Sequence, residues 1–187
     1  MRVTIESLTH PRGFTLIEVL LAMTLLVVGV STLAGLAALA TRANTAAITT
    51  TRASLLATQK MEQLLALTWG YDAAGRPIAD TTTDLTVFPP GGGGVGLSVA
   101  PAGALLQNTF GYCDFLDASG TPLGAGTDPP ARAIFVRRWS IEPLPSNPAN
   151  ALVLQVRVMR ARRTPDGSAR AQPDEAAFVS VMTRKGT

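Results

Sequence analysis

Apolar positions are distributed unevenly along this chain. From Phe14 to residue 40 almost every position is apolar, and the only charge is Glu18. A run of about 27 residues is about 40 Å long as a helix, enough to cross a hydrocarbon core of roughly 30 Å. Residues 43–67 continue without proline but change pattern. Ala53, Leu56, Ala57, Lys60, Leu64 and Leu67 follow the spacing of one helical face, and Arg52, Gln59, Glu62 and Gln63 lie on the other. This predicts an amphipathic continuation packed on a sheet. Lys60 is the exception on the apolar face and is expected to snorkel. The threonines at 49–51 are expected to soften the junction between the two halves. Trp69-Gly70 is the expected stop, with Gly70 as a left-handed cap. A helix from 15 to 68 would be about 80 Å long.

Beyond residue 70 the period changes. Residues 70–131 are broken by turn chemistry, including FPPGGGGVG and DASGTPLGAGTDPP. Short strands are expected at 85–88, 95–99 and around 110–115. Three stronger ones follow at 133–141, 152–158 and 178–183. Phe135, Trp139 and Ile141 fall on one face of the first. In the second, Leu152, Leu154, Val156 and Val158 oppose Val153, Gln155, Arg157 and Met159. The intervening segments hold Pro, Asn, Asp and Gly in turn positions, so an antiparallel meander covering the helix is expected.

Composition narrows the chemistry. Mean hydropathy is +0.25 with 47% apolar residues, and much of that sits in the N-terminal run, so a soluble average is misleading. The 187 residues suffice for one domain plus an anchor. The single cysteine, Cys113, cannot close an internal disulfide and is expected to be a small, half-buried side chain. The only histidine is His10, so a Ser/His/Asp triad is excluded after residue 13, and no zinc set is present. No metal or other cofactor is expected. The glycines at 91–94 lack a following Gly-Lys-Ser/Thr and read as a hairpin tip rather than a phosphate loop. Asp114 and Asp117 lack the spacing of a calcium loop and read as turn formers. Arg157, Arg160, Arg162 and Arg163, with Arg137 and Arg138, are candidates for a polyanion contact, against the plainer reading of solvated strand edges.

Residues 1–13, MRVTIESLTHPRG, form a basic leader. A secretory signal would have a shorter apolar region with no carboxylate near its start. A plain signal anchor fits the length, with the leader cytoplasmic and the rest outside. Gly13-Phe14-Thr15-Leu16-Ile17-Glu18, followed by VLLAMTLLVVGV, carries more detail. It resembles the prepilin cleavage and methylation motif of type IV pilins and type II secretion pseudopilins, over about residues 10–40. The late strand order is similar to that of PilV-type minor pilins. One departure is Gly35, at the place where many major pilins carry proline.

The resemblance implies an α+β, pilin-like fold: a long N-terminal α-helix packed on a small antiparallel β-sheet domain. It implies a leader at 1–13, a helix at 14–69 (14–40 transmembrane and assembling, 41–69 amphipathic) and a β-rich domain at 70–187. It also implies a cut after Gly13 by prepilin peptidase, which methylates the amine of Phe14. Glu18, with Thr15, is then an assembly residue, because a carboxylate in lipid requires a partner and a neighbour's N-terminal amine supplies one. The implied partners are that peptidase, other pilins, an inner-membrane assembly platform and lipid. The implied location is the inner membrane with the C-terminal domain periplasmic, then a filament. Three functions remain: a minor pilin, a type II secretion pseudopilin, or an anchored surface or nucleic-acid-binding module. No catalytic constellation is visible, so an enzyme is not expected.

Overall fold

A computed structural model describes residues 13–161 and 176–185. Among these, the elements run α1 (Leu16–Leu65), β1 (Trp69–Tyr71), β2 (Pro77–Ala79), β3 (Thr83–Asp84), β4 (Gly91–Gly92), β5 (Cys113–Leu116), β6 (Pro122–Gly124), β7 (Phe135–Pro143), β8 (Ala151–Arg160) and β9 (Ala176–Thr183). This is an α+β, pilin-like fold, with one long N-terminal helix and small antiparallel sheets. The chain divides into two compact units, 1–46 and 47–187.

The described part of the first unit is the apolar end of α1. Its most apolar window has a mean hydropathy of 2.3 and none of it is buried, which sets it apart from the core helix of a soluble protein. Thr24, Ser31, Thr32, Thr41 and Thr45 each donate the hydroxyl to a carbonyl three or four residues back. Satisfying these groups inside the helix lowers their cost in an apolar surrounding. Neither Gly29 nor Gly35 interrupts the helix, and it passes unbroken through the threonines at 49–51. Thr51 bonds back to the Ala47 carbonyl like the others.

In the second unit α1 buries Ala53, Ala57, Lys60, Met61 and Leu64. The main sheet has the order β6-β5-β7-β8-β9, with each neighbouring pair antiparallel. The expected meander is its β7-β8-β9 part. Trp139, Ile141, Leu154, Val156 and Val158 pack with the buried helix residues into one core. Phe115, Ala133, Val136 and Met159 form a smaller cluster, and the strand alternation puts Phe115, Val136 and Met159 on the opposite face.

Several local expectations need correction. The helix ends at Leu65, not at Trp69-Gly70, because Trp69–Tyr71 pairs with Pro77–Ala79 as a strand. Gly70 is no left-handed cap. It forms a parallel bridge with Lys185, and a Cβ there would lie 2.8 Å from the Lys185 carbonyl oxygen. Residues 85–88 and 95–99 are not strands. The pairing in that region is the two-residue hairpin of β3 with β4, in which Gly91 and Gly92 form one arm and not the tip. Cys113 is wholly buried rather than half-buried.

Candidate functional site

The start of α1 is built by a short local motif. Residues 13–15 are non-helical, and helix begins at Leu16. Thr15 is therefore the N-cap and Glu18 the third helical residue. The Glu18 amide donates to Thr15 Oγ1 at 3.3 Å, while Glu18 Oε2 accepts from the Thr15 amide at 2.8 Å and from the Thr15 hydroxyl at 2.9 Å. This is a reciprocal capping box. The Thr-x-x-Glu spacing at 15–18 is the sequence signature of this box. Both bonds from Thr15 to the carboxylate fall on one oxygen, Oε2. Gly13 and Phe14 stand exposed before the cap, on backbone outside the helix.

A second polar centre lies inside the C-terminal unit. Lys60 does not snorkel. Its side chain is fully buried, with Nζ 3.0 Å from Asp114 Oδ2 and 4.3 Å from the Trp139 ring centroid, and it donates to the Leu85 carbonyl. Asp114 is not a turn former but a buried strand residue. Arg137 grips it bidentately, Nε to Oδ1 at 2.9 Å and Nη2 to Oδ2 at 2.7 Å. Arg137 Nη1 also donates to the Leu56 carbonyl at 3.1 Å and to Gln59 Oε1 at 3.2 Å. Two buried cations thus share one carboxylate and join α1, β5 and β7. Burial pulls the Lys60 amine down to about 8, Asp114 resisting and Arg137 reinforcing the drop. Truncating one member of such a set costs far more than the set contributes to stability. Asp117, in contrast, does form a turn, accepting from the amides of Ser119 and Thr121 and from the Ser119 hydroxyl.

Among the described residues, the candidate arginines lie in different surroundings. Arg137 is in the buried centre. Arg160 bonds Thr49 on α1 at 2.6 Å. Arg157 is three residues from Arg160, an odd spacing, and so faces the other side of the sheet, opposite Arg138. Arg138 itself bonds Asn108 and the Leu105 and Leu106 carbonyls. Arg162 and Arg163 lie outside the described residues.

The family model for the prokaryotic N-terminal methylation motif matches residues 9–34. No curated protein and no solved structure matches the chain. The motif match supports a type IV pilin- or pseudopilin-like substrate of prepilin peptidase. With the exposed apolar helix it is consistent with membrane anchoring.

Proposed function

We propose that this chain is the precursor of a minor pilin of a type IV pilus, a structural subunit rather than an enzyme. Prepilin peptidase removes residues 1–13 by cutting after Gly13 and methylates the new amine of Phe14. Residues 14–40 anchor the subunit in the inner membrane and later join the filament, 41–69 continue the helix, and 70–187 form the periplasmic head. The observation that carries this reading is the methylation-motif match over 9–34, joined to an exposed apolar helix with Glu18 in its first turn.

The local geometry supports it. A peptidase needs extended, reachable backbone, and Gly13-Phe14 precedes the helix and is exposed. A carboxylate in lipid needs compensation. Thr15 satisfies one oxygen of Glu18, and the cationic amine of a neighbouring Phe14 compensates the remaining charge. Thr15 thereby orients the carboxylate toward the helix start, where that amine arrives.

The test is the N-terminal mass of the membrane-extracted protein, made with and without the peptidase, beside Glu18→Ala. The expected product begins at N-methylated Phe14 only when the peptidase is present, and Glu18→Ala is processed but poorly assembled. An intact Met1 terminus, or a cut beyond residue 40, overturns the proposal.

A further inference from the structure

Residues 81–96 form a loop that bonds mainly to itself. Its ends meet where the Leu97 amide donates to the Asp80 carbonyl at 2.7 Å. Within it β3 pairs with β4, and the Gly94 and Gly96 amides donate to the Thr82 and Thr83 carbonyls at 2.8 and 2.9 Å. A compact loop with touching ends and its own packing is an Ω-loop. Beyond its flanking residues, one hydrogen bond ties it to the rest of the chain among the described residues: the Lys60 ammonium donates to the Leu85 carbonyl. Leu85 is buried in the main core, Val95 is half-buried against it, and most of the loop is exposed. Sparse buried contact marks a segment that opens without global unfolding. Lys60 beneath it is wholly buried. Facing its ammonium are Asp114 of β5, Arg137 and Trp139 of β7, and Asp84 and the Leu85 carbonyl of the loop.

We propose that residues 81–96 are a proton-coupled lid over Lys60: proton uptake by Lys60 favours the open loop, and closing the loop favours release of that proton. The physical cause is the cost of holding a charge out of water. Without its extra proton the amine still has hydrogens for the Leu85 carbonyl and for Asp114, so closing then keeps its bonds and avoids that cost. Closed, the amine is pulled from 10.5 down to about 8, by burial first, with Asp114 opposing, Arg137 reinforcing and Asp84 opposing. Open, water reaches the amine and the ordinary value returns. The stability that this group lends to the closed lid is therefore fully present above 10.5 and lost as pH falls through about 8. By reciprocity, whatever opens the lid also loads Lys60 with a proton. This inference does not depend on leader cleavage.

Lys60 and Lys185 are the two lysines of the chain, and Lys185 is exposed. Acylation of amines therefore reads the lid directly. The full chain in non-ionic detergent is pulsed with an acylating reagent, and the Lys60 and Lys185 peptides are weighed. The Lys60 rate is divided by that of a lysine in a short unstructured peptide at the same pH. This ratio should fall about tenfold from pH 7 to pH 9, as the closed lid gains strength. Urea below the unfolding transition should change it little, since a small opening exposes little surface. Leu85→Ala, which removes the loop's buried apolar anchor, should speed Lys60 labelling at least tenfold and leave Lys185 unchanged. A ratio constant between pH 7 and pH 9 overturns the proposal. So does a urea dependence as steep as that of unfolding, which would make global unfolding the route to Lys60. An unchanged Lys60 rate in Leu85→Ala overturns the assignment of the lid to 81–96. If Leu85→Ala does not fold, Val95→Ala takes its place.

Discussion

Lys60→Met isolates the buried cation where α1 meets the sheet. Methionine keeps much of the unbranched chain lying against Trp139 and removes the ammonium. In the wild type, burial has lowered the amine from 10.5 to about 8, more than the Asp114 carboxylate restores. The folded pKa is thus below the unfolded one, and the folded chain holds this proton less tightly. The stability linked to this group is therefore fully present above the unfolded value and lost as pH falls through about 8. Between pH 7 and about pH 10.5 the wild type regains about 3 kcal/mol that the methionine chain cannot. The variant also leaves the Leu85 carbonyl without its donor, a pH-independent loss of about 1–3 kcal/mol. At pH 7 these effects oppose, and the two chains should differ by no more than about 2 kcal/mol. Near pH 10.5 the variant should have lost about 3 kcal/mol relative to the wild type. Burial raises the pKa of Cys113 and of Tyr112, so both weaken the fold at alkaline pH, but both chains carry them and the difference cancels the effect. The assay is urea unfolding of the full chain in non-ionic detergent, followed by tryptophan fluorescence across that range. A stability difference that stays constant with pH refutes the reasoning.

Other perturbations test the same architecture. Asp114→Asn leaves Lys60 and Arg137 buried without their carboxylate and should cost about 3–5 kcal/mol in the same unfolding assay, a loss under about 1 kcal/mol counting against the centre. Arg184→Ala removes donors to the Ala149, Gly70 and Ile78 carbonyls and a guanidinium 3.6 Å from the Trp69 ring centroid. It should cost about 2–4 kcal/mol and speed amide exchange through β1 and β2 before the main sheet opens. Gly70→Ala places a methyl 2.8 Å from the Lys185 carbonyl oxygen, where only backbone movement relieves it. Its expected cost is about 1–3 kcal/mol, with loss of exchange protection at the Lys185 amide.

What the sequence made legible follows the range of the forces involved. The capping box at Thr15 and Glu18 closes within one helical turn, so its Thr-x-x-Glu spacing is a sufficient signal. The face of α1 that meets the sheet was readable from the recurrence of Ala53, Ala57 and Leu64, and the outer and inner residues of β8 from strict alternation. Partners set by long-range register were not readable in this way. Lys60 stood out as a cation on an apolar face, but its carboxylate lies far along the chain, in Cys113–Leu116. The turn-rich sequence around that strand hid an acid committed to the core. A clue was present: Asp114 is flanked by Tyr112, Cys113, Phe115 and Leu116, and a charge among apolar neighbours requires an opposite charge. Pairing that acid with the misfit lysine would have located the helix–sheet seam from sequence alone. The end of α1 failed for the same reason. Gly70 favours a helix cap locally, but Lys185, at the far end of the chain, draws it into a bridge that only a residue without a side chain accommodates. Glycine signals that the backbone is unusual at that point, while the topology decides whether this means a left-handed turn or a close approach.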